Sequence, residues 1–371
     1  MKKLVLCLIV LMQCILPATV FAEKNPVVNS EAAVLIDGKT GQVLYKKNEN
    51  ERLYPASITK IATGILAIEQ GNLNDMVTVS KNAQDVEGTQ VYLVKGEQVR
   101  MEDLVYGLLM NSGNDAAVAI AEHMDGSVEK FSERMNKFVS SLGATGTHFT
   151  NPHGLFDPNH YTTASDMAKI ASYAMDNSKF RQVVGTKKRP WNGKEWKTTI
   201  INHHKLLGNY PGATGIKNGY VDESRHTLVS SAERDGTEFI TVVMKAQSGQ
   251  GQYDDTISLL DYGFENFRTT TVLGSGQVIP YKGKQYTVGS DIYGTVPVDE
   301  TYDVSLNEQL QLVISTPSGK VTQVDPQFVN EKSIVSTSEL NMDRFISASL
   351  WTMFALALGS FLFTFFRRVR V

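Results

Sequence analysis

A serine and a lysine three residues apart, Ser57 and Lys60, are the residues of this sequence best suited by type and spacing to do chemistry. Residues i and i+3 lie on one face of a helix, so the Lys60 amine can reach the Ser57 hydroxyl. A serine is a poor nucleophile until a base takes its proton, and a lysine with a lowered pKa can be that base. Because Ser-x-x-Lys also occurs by chance in many helices, the pair needs supporting residues elsewhere.

Two polar triplets further along the chain supply candidates for that support. Ser112-Gly113-Asn114 interrupts an otherwise apolar, periodic run. A serine and an asparagine are costly in a packed core unless their polar groups find partners, so this triplet indicates a cleft. An ordinary helix–loop–helix turn would give the same pattern. The second triplet, Lys217-Asn218-Gly219, is predicted to lie on or beside an antiparallel strand, where a lysine is usually a solvated charge.

The first pair must be held by a helix that is fixed in a core, and residues 54–69 are predicted to form it. Pro55 suits the first helical turn or the residue before it, and Gly71 suits the end. Ser57 would then lie near the positive N-terminal end of the helix, which favours a developing oxyanion. The apolar stripe expected to face the core is Ile58, Ile61, Ala62, Ile65 and Leu66.

Periodicity and turn residues predict the other elements. Thr163 or Ser165 is a plausible N-cap, and Asp235-Gly236 is a hairpin signal. Short alternating segments predict a small β-rich module from about 270 to 330. The elements predicted upstream of it are strands 32–37 and 42–47, mostly helical structure over 82–124, two helices within 131–176, strands 226–233 and 238–246, and a helix over 255–269.

Four histidines are candidate metal ligands by residue type. His153 and His160 lie in one loop, but their spacing matches no ligand motif. His203 and His204 are predicted to be neighbours on a strand, where they cannot readily converge on one ion. The sequence therefore predicts neither a metal nor a cofactor.

Both ends of the chain carry membrane-related patterns. Residues 1–22 have two lysines, an apolar run and a small-residue cleavage signal, so we expect a secretory signal peptide and not a first membrane anchor. Residues 345–366 are 22 uncharged residues followed by arginines, which predicts a spanning anchor whose end stays in the cytoplasm. An interfacial helix is the alternative. The protein would then be exported and held at the outer face of the membrane.

Composition excludes several classes of protein. The 371 residues are 42% hydrophobic and 20% charged, as in globular proteins and unlike disordered or collagen-like chains. The formal charge is −3 and no basic patch with interleaved aromatics is evident, so a nucleic-acid partner is not expected. Cys7 and Cys14, the two cysteines, both lie within the signal segment, so the exported part needs no disulfide chemistry.

Taken in order, Ser57-Ile58-Thr59-Lys60, Ser112-Gly113-Asn114 and Lys217-Asn218-Gly219 resemble the three motifs of the penicillin-binding proteins of the serine D-alanyl-D-alanine carboxypeptidase family. The resemblance covers roughly residues 30–340. It implies an α/β (α+β) penicillin-binding and β-lactamase-like domain, an antiparallel sheet with helices on both faces, followed by a small all-β domain and a C-terminal membrane helix. The expected divisions are a signal peptide at 1–22, a catalytic domain at 23–267, a β-rich domain at 268–335 and an anchor at 345–366.

The resemblance also implies the chemistry of the first two motifs. Ser57 would attack the carbonyl between two terminal D-alanines of a peptidoglycan stem peptide and release one D-alanine from an acyl-enzyme. Lys60 would take the proton of Ser57, and Ser112 would relay protons to the leaving amine. Asn114 would hold the amide on the acyl side. β-Lactam antibiotics are expected to be covalent inhibitors of this site.

The third motif is expected to bind the other end of the substrate. By resemblance, Lys217 would bind the terminal carboxylate or tune the polar network, and the N–H groups of Ser57 and Tyr220, the residue after Gly219, would form the oxyanion hole. The family's threonine is replaced by Asn218, whose larger amide can still donate a hydrogen bond but can crowd the carboxylate. We expect an active but slower enzyme. A serine β-lactamase and a peptidoglycan-binding protein without catalysis are the alternatives.

Overall fold

The computed structural model describes residues 25–319, 321–324 and 328–333. The chain divides between Phe267 and Arg268 into two compact units. The signal segment at 1–22 and the anchor at 345–366 lie outside the described residues. Within the described part, no helix combines the length and the apolar character that a membrane span requires.

Helices and strands alternate along the first unit. A 3-10 helix over Ala56–Thr59 precedes the first α-helix. The α-helices described are α1 (Lys60–Gln70), α2 (Lys81–Asp85), α3 (Met101–Met110), α4 (Asn114–Asp125), α5 (Val128–Ser141), α6 (Ala164–Asp176), α7 (Ser178–Gly185) and α8 (Gly251–Asn266). The strands are β1 (Ala32–Asp37), β2 (Val43–Lys47), β3 (Met76–Thr78), β4 (Gln98–Arg100), β5 (Lys188–Asn192), β6 (Lys197–Ile201), β7 (Ala213–Val221), β8 (Arg225–Arg234) and β9 (Thr237–Ala246).

The centre of the first unit is a five-stranded antiparallel sheet in the order β2-β1-β9-β8-β7. Successive residues of a strand point to opposite faces of a sheet. In β1, Ala32, Val34 and Ile36 enter a core that also contains residues of α1 and α3 to α7. Ala33 and Leu35 enter a second core that contains residues of α8. The predicted antiparallel sheet with helices on both faces is therefore confirmed.

The helix predicted over residues 54–69 begins differently in the structure. Residues Ala56–Thr59 form a 3-10 helix, and the α-helix starts only at Lys60. Ala56 has φ +51°, which an α-helix does not allow. Because a 3-10 helix has about three residues per turn, residues i and i+3 eclipse each other, and the predicted pairing of Ser57 with Lys60 survives the change. The apolar stripe from Ile58 to Leu66 is fully buried, as predicted.

The prediction of mostly helical structure over 82–124 was wrong for residues 86–100, which form loops and strand β4. The backbone N–H groups of Val91 and Leu93 donate to the buried carboxylate of Asp115, so they are not used in helical hydrogen bonds. The break between the two helices is present, and Ser112 lies in it with φ +66°.

Three further features match the sequence patterns, whereas the bounds of one helix and the placement of two histidines differ from the prediction. Thr163 caps α6 by accepting a hydrogen bond from the Asp166 N–H, and the Asp235-Gly236 hairpin joins β8 and β9 with positive φ at both residues. Strands β1 and β2 form the predicted antiparallel hairpin. Helix α8 runs from Gly251 to Asn266, so it begins four residues and ends three residues earlier than predicted. His203 and His204 follow β6 and do not lie on a strand, which corrects the prediction.

The second unit contains strands only, as far as it is described. Its apolar cluster is centred on Val288, Val296 and Leu312, all of which are fully buried. The strands are β10 (Phe267–Leu273), β11 (Val278–Tyr281), β12 (Lys284–Val288), β13 (Ile292–Pro297), β14 (Asp303–Leu306), β15 (Leu312–Ser315), β16 (Val321–Val324) and β17 (Phe328–Ser333).

Candidate active site

The amine of Lys60 lies at the centre of a compact polar network. Its Nζ is 2.9 Å from the Ser57 Oγ, and it donates to the Asn114 Oδ1 at 2.7 Å and to the His153 carbonyl at 2.6 Å. The Lys60 side chain is fully buried, whereas Ser57 is partly exposed. The network thus joins a solvent-accessible hydroxyl to an amine that has no contact with bulk water.

Burial lowers the pKa of Lys60 well below its usual 10.5 because the charged ammonium loses its hydration. The nearby positive charge of Lys217 lowers this pKa further, and the carboxylate of Asp115 opposes the shift. A lysine in such a place is readily deprotonated, and a neutral amine can accept a proton from the hydroxyl beside it.

The backbone around Ser57 is held in place from two sides. Thr227 on β8 donates from its hydroxyl to the Pro55 carbonyl at 2.9 Å. Gly154, with φ +88°, packs against the Ala56 carbonyl, and a Cβ at residue 154 would collide with that oxygen. Ala56 itself has φ +51°, which is uncommon for a residue other than glycine. The position of the nucleophile therefore depends on contacts that lie far away in the chain.

The second triplet spans the junction of α3 and α4, with Ser112 and Gly113 between the two helices. Asn114 is the first residue of α4, and its Nδ2 donates to the Glu87 carbonyl at 2.7 Å while its backbone N–H donates to the Thr89 carbonyl at 2.7 Å. The neighbouring Asp115 carboxylate accepts N–H groups from the same 87–93 loop. Burial raises the pKa of Asp115, and the backbone hydrogen bonds to it act in the opposite direction. Asp115 therefore fixes the loop that supports Asn114.

Strand β7 forms the other side of the site. Lys217 is only 1% exposed, and its Nζ donates to the Asn218 carbonyl at 2.8 Å. Burial lowers the pKa of Lys217 to about 7. A Cβ on Gly219 would lie 2.7 Å from the Ser57 backbone nitrogen, so the strand passes directly against the nucleophile. The only side chain that can be accommodated at residue 219 is the hydrogen of glycine.

A cleft of about 360 Å³ opens between these two sides. Five of the predicted residues line it, namely Ser57, Ser112, Asn218, Gly219 and Tyr220. The other three, Lys60, Asn114 and Lys217, are buried and do not line the cleft. The lining residues that the sequence analysis missed are Thr89, His203, Lys205, His226, Gly249, Gln252 and Tyr253.

A signal for one missed residue was present in the sequence. Strands β7 and β8, which carry the third triplet and the 226–233 run, form an antiparallel pair. In this pair Tyr220 lies opposite His226, and the centroids of their rings are 4.6 Å apart. Residues opposite each other in such a pair are side by side, so His226 could have been found once the register was known. Lys205 and Tyr253 come from a loop and from α8, and nothing local in the sequence points to them.

The histidines of the 149–160 loop are structural. His160 forms a hydrogen bond of 2.8 Å with the Thr59 hydroxyl, and burial lowers its pKa to about 3. Burial, with a contribution from the Lys60 charge, lowers the pKa of His153 to about 3 as well. Across the residues that the structure describes, no group of three or more His, Cys, Asp or Glu residues is placed to hold a metal ion.

The site places a buried amine beside a serine hydroxyl, in a two-sided cleft with a strand at its edge. This arrangement defines a serine enzyme of the acyl-transfer class. Residues 19–248 match the family model described as D-alanyl-D-alanine carboxypeptidase. The chain belongs to the D-alanyl-D-alanine carboxypeptidase family, and it is a serine hydrolase of that family. The family that the three motifs predicted is therefore confirmed.

Relatives and solved structures agree with this assignment. The chain is 31% identical to the D-alanyl-D-alanine carboxypeptidase DacF of Bacillus subtilis over 87% of this chain and 89% of the relative. It is 32% identical to DacA of Haemophilus influenzae over 83% of this chain and 77% of the relative. Among solved structures, penicillin binding protein 5 of Haemophilus influenzae aligns with a TM-score of 0.72 and 28% identity, over 84% of this chain and 98% of that chain.

Proposed function

We propose that the protein removes the terminal D-alanine from peptidoglycan pentapeptides through an acyl-enzyme on Ser57, and that β-lactams trap the same serine. The observation that carries the proposal is the position of the Lys60 amine, 2.9 Å from the Ser57 hydroxyl and fully buried. Family membership supports the substrate class, and the motif chemistry supports the residue roles.

The hydrogen bonds of Lys60 identify it as the base. A neutral amine has two N–H groups and one lone pair, while the two oxygens that it contacts on Asn114 and His153 can only accept. Both hydrogens are therefore directed to those oxygens. The lone pair remains for the third neighbour, the Ser57 hydroxyl, which can donate its hydrogen. This arrangement prepares Ser57 for attack without any rearrangement of the amine.

In the first half of the reaction, the Ser57 Oγ attacks the carbonyl carbon between the two D-alanines while Lys60 accepts the hydroxyl proton. The N–H groups of Ser57 and Tyr220 stabilise the negative oxygen of the tetrahedral intermediate. The C–N bond then breaks, the proton reaches the leaving amine through Ser112, and free D-alanine departs. In the second half, water attacks the ester, the shortened peptide is released, and the Ser57 hydroxyl is restored.

The remaining site residues hold the substrate. Asn114 uses one N–H for the Glu87 carbonyl and its oxygen for Lys60, so its second N–H is left for the amide on the acyl side. Lys217 and Asn218 contribute positive charge and a hydrogen-bond donor near the terminal carboxylate. The amide of Asn218, larger than the family's threonine, is expected to crowd the terminal carboxylate and so to lower kcat/KM.

The test combines labelling with product analysis. Incubation with a fluorescent penicillin, followed by peptide mass spectrometry, should give one covalent adduct on the peptide that contains Ser57, and a pentapeptide should release D-alanine. Ser57→Ala should lose both, while the exposed control Ser140→Ala should keep both. Rapid nitrocefin turnover would instead indicate a β-lactamase. A protein that is not labelled would be a binding module, and either result would overturn the proposal.

We also propose that the protein works outside the membrane. The support is in the sequence, which has an export-type segment at 1–22 and an apolar run at 345–366 before the terminal arginines. The catalytic domain at 23–267 and the β-rich domain at 268–335 would both face the wall. Cell fractionation should find the full chain in the membrane, and a chain that ends at residue 344 should be released. Equal membrane retention of the two chains would contradict the anchor.

A further inference from the structure

The cleft is lined by cationic and neutral side chains. Its lining residues include Lys205, His203 and His226, and none of the residues that line it is an aspartate or a glutamate. Two more lysines, Lys60 and Lys217, are buried close by; in addition to burial, the Lys217 charge lowers the pKa of Lys60 and of His203, and the Lys60 charge lowers that of His153. A cleft with charge of one sign attracts ligands of the opposite sign. The cleft is therefore suited to a negatively charged substrate group.

Lys205 is the residue in this lining that carries a full, accessible positive charge. It is exposed and lies on the loop between β6 and β7. His203 and His226 are mainly neutral near pH 7, because burial lowers the pKa of His203 to about 4 and also lowers that of His226. Lys217 is 1% exposed and donates to the carbonyl of Asn218, so its ammonium is only partly available to a ligand.

The position of Lys205 is fixed by Tyr253 on α8. The Lys205 Nζ lies 5.6 Å from the centroid of the Tyr253 ring, within the range of a cation–π contact. The Lys205 backbone N–H donates to the Tyr253 hydroxyl at 3.4 Å, and this hydroxyl donates to the His203 carbonyl at 3.4 Å. Tyr253 thus holds both the backbone and the side chain of this part of the loop at the cleft.

No carboxylate pairs with Lys205 within the described part of the chain. Burial, the charge of Arg225 and, to a smaller extent, the charge of Lys205 lower the pKa of His226, so Lys205 and His226 interact electrostatically. His226 stacks beside Tyr220, the residue after the third motif. Lys205 is therefore an ammonium without an acidic partner on the side of the cleft where the third motif binds substrate.

We propose that Lys205, held against the Tyr253 ring, binds a carboxylate of the substrate peptide and acts as a specificity-determining residue. The inference rests on the proposed carboxypeptidase function and adds a residue to it. Lys205 would share with Lys217 the role of supplying positive charge to a substrate carboxylate. The carboxylate has two possible sources, the free C-terminus of the peptide and an acidic side chain on its third residue.

The experiment uses the full chain and two peptides that end in D-alanyl-D-alanine. In the first peptide the terminal carboxylate is the only one, and the second also carries a carboxylate on the side chain of its third residue. Lys205→Gln is compared with Lys205→Arg, which keeps the charge, and with Lys194→Gln, an exposed lysine outside the cleft. KM and kcat for D-alanine release are measured for each.

We expect Lys205→Gln to raise KM about tenfold or more with little change in kcat, since it removes a hydrogen bond between charged groups. Lys205→Arg should stay within a few-fold of wild type, and added salt should reduce the difference between wild type and Lys205→Gln. An equal rise in KM for both peptides assigns Lys205 to the terminal carboxylate. A rise in KM for the second peptide alone assigns Lys205 to the side-chain carboxylate.

Two failures have different meanings. If wild type releases no D-alanine from either peptide, the proposed function fails and this inference fails with it. If wild type is active and Lys205→Gln has the wild-type KM on both peptides, the inference alone is overturned. A fall in kcat that Lys205→Arg does not restore would also overturn it, because it would show that Lys205 only supports the loop.

Discussion

The two walls of the cleft are built in different ways. We call Ser57, Lys60, Ser112 and Asn114 the helical wall, and Lys217, Asn218, Gly219 and Tyr220 the sheet wall. In the helical wall the Lys60 amine contacts both Ser57 and Asn114, the latter 54 positions away. Ser112 and Ala56, the residue before Ser57, both have positive φ. In the sheet wall, residues 217–220 pair with β8 in continuous register beyond a β-bulge at residues 213–215, and Tyr220 is 49% exposed.

This difference separates chemistry from recognition. A general base must be held at hydrogen-bond distance from its partner, and side chains that are buried and fully bonded have little freedom to move away. A wall that is partly exposed can adapt to different substrates. We therefore expect changes in the helical wall to act mainly on kcat and changes in the sheet wall to act mainly on KM.

Removal of the base should have the largest effect. Lys60→Gln should lower the rate of acylation by penicillin about 10²- to 10⁴-fold, because general-base catalysis contributes on this scale. The rate is measured by stopped-flow or by quenched labelling, with Lys194→Gln as the control for loss of a lysine. A loss below about tenfold would show that another group deprotonates Ser57.

A glycine that supports the helical wall gives the next test. Gly154→Ala places a methyl group against the Ala56 carbonyl and should both destabilise the protein by about 1–3 kcal/mol and lower kcat. Gly143→Ala is a matched control, since residue 143 also has positive φ but faces open space. Thermal unfolding and D-alanine release are compared. If the two variants lose stability and activity to the same extent, the positive φ of the glycine explains the loss, and the contact with the Ala56 carbonyl does not.

The two lysines should give the two walls opposite responses to pH. Because the pKa of Lys60 is well below its usual 10.5, kcat should rise with pH as Lys60 loses its proton and level off well below pH 10.5. Lys217 loses its charge above its pKa of about 7, so KM for a peptide with a free carboxylate should rise above pH 7. At the steepest part of each profile, kcat or KM should change by about tenfold per pH unit. Initial rates from pH 5 to 9 measure both, and a KM that is constant with pH would show that the Lys217 charge does not contribute.

The smallest effect is expected where this chain departs from its family's motif. Asn218→Thr should relieve crowding near the carboxylate and lower KM a few-fold, with kcat nearly unchanged. Asn74→Thr, on the surface and away from the cleft, is the control. A change that appears in kcat and not in KM would contradict the separation of roles between the two walls.

Local spacing in the sequence was enough to predict the main elements and the family. The i, i+3 spacing of Ser57 and Lys60, the buried stripe from Ile58 to Leu66 and the Asp235-Gly236 hairpin are each set by a few neighbouring residues. Helical and extended chains place such residues together whatever the rest of the molecule does. The three motifs predicted the family correctly, and the separate roles of their residues stay predictions.

Only the tertiary structure decided what surrounds the pair. The Lys60 amine contacts residues 54 and 93 positions away, and Thr227 reaches Pro55 across 172 positions. The 3-10 start of the nucleophile helix, the loop fixed by Asp115 and the place of Lys205 on Tyr253 all depend on such contacts. A sequence pattern records spacing along the chain, whereas these contacts result from the packing of helices against both faces of a sheet. The sequence therefore determined the reactive pair, and the packing determined its environment.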